Sequence, residues 1–242
     1  MSSNPPEKII AIVPGYNEEG KIGKVVSKIN AEKVVDSVLV VDDGSKDRTG
    51  EEAKSAGARV IKHDKNSGVG CAIRTAMDYA KKEGYTIAVV MGGDDQDNPN
   101  EIHRLLAPIV NDHFVFVQGS RYMPGGTRVN IPLFRWITTG FFSFLFKILT
   151  QFPVTDGTNG FRAFRLSIMD AAGMDLHQKW LDKYELEPYL YYKSIELKLT
   201  VTEVPVTKRY PKGKVGYTKM VPILDWWSIL RPLIYLRLGL KK

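Results

Sequence analysis

Short apolar runs alternate with longer amphipathic segments through the first half of the 242-residue chain. The short runs predict strands, whereas the longer segments repeat their apolar residues at helical spacing and predict helices. The predicted strands are residues 8–13, 37–42, 58–62, 86–91 and 114–118, and the predicted helices are residues 19–30, 47–56, 68–83 and 99–110. This alternation predicts an α/β fold with a mostly parallel sheet and helices on both of its faces.

The alternation stops after residue 120, and the second half of the chain has a mixed pattern. It predicts a loop at residues 124–127, a strand at 160–166, a helix at 181–193 and a strand at 197–206. Residues 207–219 are basic, contain glycine and have little regular propensity. They predict a loop that closes over an anionic substrate, although a solvated loop explains the same composition equally well.

Two further segments are unusually apolar. Residues 131–152 predict an amphipathic helix whose aromatic side chains are too crowded for a single apolar stripe. Residues 221–242 form an apolar and basic tail. Charged residues interrupt both segments, whereas a membrane-spanning helix needs about 20 predominantly apolar residues. Helices at a membrane interface and buried core helices are both open interpretations of this pattern.

The net charge and the numbers of cysteine and histidine residues limit the kinds of ligand that the protein is expected to bind. The net charge of +7 and the pI of about 9.3 admit nucleic acid, an anionic lipid surface or a phosphorylated substrate. The cations outside residues 207–219 are dispersed, which argues against nucleic acid. The single cysteine, Cys71, excludes an internal disulfide, and the four histidines lack the spacing of a zinc site. No nucleic acid partner is therefore expected.

Polar residues follow three of the predicted strands. These strand ends are residues 14–19, 42–45 and 92–97, and the last of them has the sequence Gly-Gly-Asp-Asp-Gln-Asp. Open α/β sheets bind ligands at the carboxyl ends of their strands. Carboxylate and amide oxygens are the ligands that hard cations such as Mg²⁺ and Mn²⁺ prefer. The three strand ends therefore predict a nucleotide and metal site.

Taken in chain order, several motifs resemble those of a known enzyme family. The segments are Val13–Glu19, Val40–Thr49, Asn66–Arg74 and Met91–Pro99. Together they resemble the inverting family 2 glycosyltransferases, which are nucleotide-sugar enzymes of the GT-A fold. Three later segments resemble the dolichyl-phosphate mannose synthase branch of that family, which includes polyprenyl-phosphate glycosyltransferases: Gly119–Tyr122, Thr155–Arg165 and Glu203–Val206.

The resemblance implies a domain organisation and a set of nucleotide contacts. Residues 1–220 are expected to form the GT-A catalytic domain, in which residues 131–152 are an interfacial helix and 207–219 an acceptor loop. Residues 221–242 are expected to be a membrane-associating tail. The implied nucleotide-binding residues are Pro14, Tyr16, Glu18, Asp42, Asp43, Asn66, Gly70, Arg74 and Gly93.

The resemblance also implies metal ligands and catalytic residues. Asp94 and Gln96 match metal ligands of the family, whereas Gly92 stands where the family has a carboxylate. Asp95, or else Asp97, is expected to substitute for that missing ligand. The implied catalytic residues are Asp94, Arg121, Asp156, Arg209 and Lys219, of which the three cations are expected near the acceptor phosphate.

The expected reaction is the Mg²⁺- or Mn²⁺-dependent, inverting transfer of a hexose from a nucleotide sugar of the GDP-mannose or UDP-glucose type. The expected acceptor is a polyprenyl or dolichyl phosphate. Its oxygen is already anionic near neutral pH, so no strong general base is needed. Because the isoprenoid chain stays in the bilayer, the enzyme is expected at the cytoplasmic side of a membrane, as a peripheral or monotopic protein on the membrane surface.

Two alternatives remain at this point. A family 2 transferase that acts on a saccharide hydroxyl would need a general base, for which Asp156, Glu185 and Glu187 are candidates. A catalytically weak nucleotide-binding module is the second alternative, because Gly92 removes a carboxylate from the metal motif.

Overall fold

Residues 7–212 and 224–241 are described by a computed structural model. The strands are β1 (Ile9–Gly15), β2 (Ser37–Asp42), β3 (Arg59–Lys62), β4 (Ile87–Val90), β5 (Phe116–Ser120), β6 (Thr127–Val129), β7 (Arg162–Arg165), β8 (Val201–Pro205) and β9 (Thr207–Arg209). The α-helices are α1 (Ile22–Glu32), α2 (Thr49–Ser55), α3 (Val69–Lys82), α4 (Ile102–Asn111), α5 (Leu133–Thr150), α6 (Leu186–Glu196) and α7 (Leu224–Arg237). A 3₁₀ turn, Pro99–Glu101, leads into α4.

Seven strands form the central sheet in the order β3-β2-β1-β4-β7-β5-β8. All of its neighbouring pairs are parallel except β4–β7 and β7–β5, because β7 runs antiparallel to both of its neighbours. The prediction of an α/β fold with a mostly parallel sheet is therefore confirmed. The five strands and four helices predicted in the first half all occur, with ends that shift by up to a few residues.

Helices cover both faces of the sheet and give the domain two cores. Ile10, Ile12 and Leu39 point to the face that packs against α3, α5, α6 and α7. Ala11 and Val13 point to the opposite face, against α1, α2 and α4. Successive side chains of a strand point to opposite faces, so a strand covered on both sides must be apolar throughout. This explains the continuous apolar runs in the sequence.

The strand β9 lies in the predicted loop at residues 207–219, and β6 begins at the last residue of the predicted loop at 124–127. They pair in parallel with each other, and Thr127 lies opposite Thr207. Two contacts outside this pair hold β9: Thr207 N donates to Glu101 Oε2 at 2.7 Å, and Arg209 N donates to Gln96 O at 2.8 Å. These contacts join residues about 100 positions apart, and local sequence propensity carries no signal of such contacts.

Helix α5 is buried on one side only. Phe146 is fully buried, and its ring centroid lies 5.0 Å from that of Tyr191. By contrast, Phe141 is 64% exposed and Phe144 is 60% exposed. Within the described ranges, α5 is the one helix that is long and apolar enough, by length and composition, to cross a membrane. Some of the aromatic residues of α5 thus pack in the core, and others form an exposed apolar surface.

Helix α7 packs against α5 and α6 and is anchored by an ion pair. Arg231 donates to Glu185, whose side chain is fully buried, and to the Trp180 carbonyl oxygen at 3.0 Å. Leu233 and Leu236 are buried in the core. The part of the predicted tail that the structure describes therefore folds back onto the domain rather than extending from it.

Candidate nucleotide and metal site

The carboxyl ends of β1, β2 and β4 open into a cavity of about 630 Å³. This is the edge at which open α/β sheets bind ligands. The structure brings most of the predicted nucleotide and metal residues to its wall: Pro14, Tyr16, Glu18, Asp43, Asn66, Gly93, Asp94 and Gln96. The cavity thus collects residues from four separate motifs of the sequence.

Asp43 organises the nucleotide side of the cavity. Its carboxylate accepts hydrogen bonds from Ser67 N at 2.9 Å and Gly68 N at 2.8 Å, and it lies 2.7 Å from His63 Nδ1. The turn before this loop requires Gly44, which has φ +72°, and a Cβ there would lie 2.4 Å from the Lys65 carbonyl carbon. The strand end and the loop are therefore held in one arrangement.

Three predicted nucleotide contacts lie behind the wall instead of on it. Asp42 is buried and accepts from Ser45 N at 2.9 Å. A Cβ at Gly70 would lie 2.1 Å from the Leu181 carbonyl oxygen, so this position lets α3 pack closely against the loop before α6. Arg74 forms an ion pair with Asp182 in the same loop. Asp42, Gly70 and Arg74 support the wall, and none of them lines the cavity.

Asp94 and Gln96 offer oxygen ligands at the end of β4. Desolvation raises the pKa of the Asp94 carboxyl, and attraction to Lys208 opposes that rise. Gln96 Oε1 is buried and has no hydrogen-bond partner among the described residues. A carboxylate short of counter-charge and an unsatisfied amide oxygen together fit a hard cation such as Mg²⁺ or Mn²⁺.

The protein alone does not form a complete metal cage here. In residues 7–212 and 224–241, no group of three or more His, Cys, Asp or Glu side chains has the arrangement of a metal site. Mg²⁺ is usually held by one or two carboxylates together with substrate phosphates. Asp94 and Gln96 therefore fit a cation that binds together with a diphosphate.

The two predicted substitute ligands are engaged elsewhere. Asp95 has φ +60°, and its carboxylate accepts from Lys28 Nζ at 2.6 Å, outside the cavity lining. Asp97 accepts from Lys208 Nζ at 2.8 Å and from Gly92 N at 3.2 Å. A Cβ at Gly92 would lie 3.0 Å from Asp94 Oδ1. The Asp94 carboxylate thus lies next to the place where the family has its other carboxylate.

Arg121 and Asp156 form a buried ion pair away from the cavity lining. Arg121 Nε and Nη2 donate to the two Asp156 oxygens at 2.6 and 2.7 Å, and Nη1 donates to Tyr210 Oη at 2.6 Å. Burial alone would lower the pKa of Arg121 and raise that of Asp156, but their mutual attraction reverses both shifts. The guanidinium is therefore committed to protein partners rather than directed at a phosphate.

The other predicted catalytic cations are not on the wall either. Arg209 is exposed on β9, and Lys219 lies outside the described residues, as do residues 213–218 of the predicted acceptor loop. Four cations that the sequence analysis did not select do line the cavity, namely Arg135, Arg162, Lys183 and Lys208. Strand alternation directs Lys208 inward and Arg209 outward, a signal that becomes visible only once β9 is known.

The three candidate general bases differ in whether their carboxylates reach the cavity. Asp156 and Glu185 have fully buried side chains in ion pairs with Arg121 and Arg231. Glu187 lines the cavity, and its Oε1 lies 3.3 Å from Arg162 Nη2. Of the three, only Glu187 could accept a proton from a group bound in the cavity.

Solved structures share this fold. Glucosyl-3-phosphoglycerate synthase from Mycobacterium tuberculosis, in complex with Mn²⁺, UDP and glucosyl-3-phosphoglycerate, superposes with a TM-score of 0.71 and 19% identity. The alignment covers 98% of this chain and 81% of that one. The fold is therefore the GT-A fold, which the sequence resemblance implied.

Sequence comparison then gives the family. Residues 10–173 match the glycosyl transferase family 2 domain, and the chain belongs to this family. It is 32% identical to the UDP-N-acetylglucosamine–dolichyl-phosphate N-acetylglucosaminyltransferase of Methanococcus voltae, with 96% of each chain covered. It is 30% identical to the dolichyl-phosphate hexose transferase of Haloferax volcanii, with 93% of this chain and 92% of that one covered.

A third relative has a different named product. The polyprenol monophosphomannose synthase of Mycolicibacterium smegmatis is 29% identical, with 89% of this chain and 82% of that one covered. The family and the enzymatic class predicted from the motifs are thereby confirmed.

The Arg121–Asp156 pair generates a stability prediction. Asp156→Asn leaves a buried guanidinium without its counter-charge, so we expect the free energy of unfolding at pH 7 to fall by about 3–5 kcal/mol. Arg121→Met/Asp156→Leu removes both charges and should recover at least half of that loss. Because folding lowers the pKa of Asp156, the advantage of the wild type over Asp156→Asn should shrink as the pH falls below about 4.

Urea unfolding of the three proteins between about pH 3 and pH 7, a range that begins below the ordinary pKa of an aspartate, measures these differences. A loss below about 1 kcal/mol for Asp156→Asn would contradict the structural role. It would favour instead the predicted direct contact of Arg121 and Asp156 with the substrate.

Proposed function

We propose that this protein transfers a sugar from a nucleotide sugar to the phosphate of a polyprenyl or dolichyl phosphate, with inversion at the anomeric carbon. One observation carries the proposal: a single cavity joins the oxygen donors Asp94 and Gln96 to four cations at the strand ends of a GT-A fold. Relatives along nearly the whole chain are named for sugar transfer to lipid phosphates, which supports the acceptor class.

The donor binds on the side of β1 and β2. Tyr16, Asp43 and Asn66 contact the nucleoside, and the diphosphate lies toward Asp94 and Gln96. A Mg²⁺ or Mn²⁺ ion held by those two oxygens would supply positive charge to the departing diphosphate. Because Asp94 and Gln96 are fixed at the strand end, a diphosphate bound through that ion would be held in one orientation.

The acceptor phosphate binds on the side of β7 and α5, where Arg162 and Arg135 line the cavity. Lys183 lies on the donor side, because its backbone packs against Gly68 and Gly70. An anionic phosphate oxygen is already a nucleophile, so the cations need only hold it in line with the leaving group. The alternative acceptor, a saccharide hydroxyl, would require Glu187 as the base.

The relatives leave the donor sugar open, since their names include N-acetylglucosamine, mannose and hexose. We therefore assign the donor class as a nucleotide-linked hexose or N-acetylhexosamine, of which GDP-mannose and UDP-glucose were the types expected from the motifs.

The exposed side of α5 supports a position at a membrane surface. Leu133, Phe134, Phe141 and Phe144 are all more than half exposed, although each is strongly apolar. Arg135 on the same helix lines the cavity, so the apolar surface and the acceptor side of the site share one element. We place the protein at the cytoplasmic side of a membrane as a peripheral or monotopic enzyme, with α5 in the interface.

An enzymatic assay tests the proposal. The protein is incubated with a short polyprenyl phosphate, Mg²⁺ or Mn²⁺, and GDP-mannose, UDP-glucose or UDP-N-acetylglucosamine. We expect a lipid-linked sugar from at least one donor, its formation to stop with EDTA, and Asp94→Asn to lower kcat/KM at least about 100-fold. Asp78→Asn, a change on the exposed side of α3, is the matched control.

Absence of lipid-linked product with every donor would refute the proposal. Product from a saccharide acceptor alone, abolished by Glu187→Gln, would establish the hydroxyl-directed alternative.

A vesicle experiment tests the membrane surface. Burying two phenylalanine side chains contributes about 3–6 kcal/mol, so Phe141→Ser/Phe144→Ser should reduce flotation with phosphatidylglycerol–phosphatidylcholine vesicles at least about tenfold. Val110→Ser, which changes an exposed apolar residue on α4, should float like the wild type. Equal flotation of all three proteins, or no flotation of the wild type, would contradict the assignment of α5.

A further inference from the structure

Lys208 is a cation of the cavity, and two backbone contacts fix its position. It lies on β9, and β9 is attached to the loop that follows β4: Arg209 N donates to Gln96 O at 2.8 Å, and Lys208 and Asp97 form an isolated antiparallel bridge. The backbone therefore places the Lys208 side chain beside the two oxygen donors of the site.

The Lys208 side chain is enclosed but still borders the cavity. It is 13% exposed, and Nζ lies 2.8 Å from Oδ1 of Asp97, whose own side chain is fully buried. Lys208 lines the cavity together with Gly92, Asp94 and Gln96. An ammonium has three N–H donors, so the contact with Asp97 leaves donors for a ligand in the cavity.

Lys208 supplies positive charge at a place where negative charge accumulates. Asp94 is the carboxylate of the loop that lines the cavity, since Asp95 is paired with Lys28 and Asp97 with Lys208. A leaving diphosphate gains negative charge as the sugar departs. A preorganised positive group at the point where charge develops stabilises the transition state more than the ground state.

We propose that Lys208 is a catalytic residue that donates a hydrogen bond to the terminal phosphate of the donor diphosphate, with Asp97 holding the ammonium in place. The inference rests on the proposed function and names one further group at the same site. In the transfer step the bond between the anomeric carbon and the diphosphate oxygen breaks, and its electron pair stays on that oxygen. The acceptor phosphate oxygen forms the new bond to carbon, and Lys208 keeps its proton throughout.

The competing interpretation is that the pair only fastens β9 to the acidic loop. Three variants separate the two: Lys208→Met, Asp97→Asn and the double variant Lys208→Met/Asp97→Asn. The double variant removes both members of the Lys208–Asp97 pair, so neither is left buried without the other, which protects the test against simple misfolding of the single lysine variant. Asp97→Asn removes the same ion pair but keeps the cation, and is therefore the matched control.

Calorimetric titration with GDP, GMP, UDP and UMP in the presence of Mg²⁺ gives the first readout. For the base that the wild type prefers, we expect the double variant to bind the diphosphate at least about tenfold more weakly than Asp97→Asn does, which corresponds to about 1.4 kcal/mol. Affinity for the monophosphate should change less than about threefold. Lys54→Met, an exposed cation change on α2, should leave all four affinities unchanged.

Turnover gives the second readout: kcat should fall further in the double variant than in Asp97→Asn, since the lysine acts most strongly as the diphosphate leaves. Equal diphosphate affinity in the double variant and Asp97→Asn would overturn the role of Lys208 and leave the proposed function intact. Failure of the wild type to form any product would count against the proposed function instead, because the binding comparison needs no turnover.

Discussion

The desolvated carboxylate of Asp94 is the constraint around which the site is arranged. A carboxylate partly removed from water needs a counter-charge, and desolvation raises the pKa of this one despite the attraction of Lys208. The unsatisfied Gln96 oxygen lies in the same loop. The strand β4 ends in the middle of a sheet buried on both faces, so the loop cannot simply move into solvent. A bound cation would supply the positive charge that the Asp94 carboxylate lacks, and a diphosphate would complete the coordination of that cation.

The rest of the domain fixes this loop from outside. Lys28 on α1 holds Asp95, and Lys208 on β9 holds Asp97, so two ion pairs flank the Asp94 carboxylate. The strand β9 is itself held by the Glu101 carboxylate at the start of α4. On the other side, Arg121 and Asp156 fix the loop that carries Thr158 to the cavity wall. Arg121 and Asp156, which the sequence predicted to be catalytic, instead hold the loops around the cavity in place.

The sequence was sufficient for the sheet and for the strand-end cavity, because buried strands leave long apolar runs and strand ends leave polar clusters. It was not sufficient to separate lining residues from supporting ones. Asp42 and Asp43 are adjacent, yet only Asp43 lines the cavity, and Lys208 and Arg209 differ in the same way. Asp42 is the last residue of β2, whereas Asp43 lies just beyond the strand end. Alternation along β9 separates Lys208 from Arg209, and β9 forms through contacts distant in sequence. The buried partners of Arg121 and Glu185 likewise arise from tertiary packing that no local pattern records.

The position of the bound metal can be measured directly. Crystals grown with Mn²⁺ and the preferred nucleoside diphosphate would locate the ion by its anomalous scattering. We expect one peak within about 2.2 Å of an Asp94 carboxylate oxygen and of Gln96 Oε1, with the remaining ligands from the diphosphate or water. A peak at Asp95, or a bound diphosphate with no ion between it and Asp94, would show that Asp94 and Gln96 do not hold the metal.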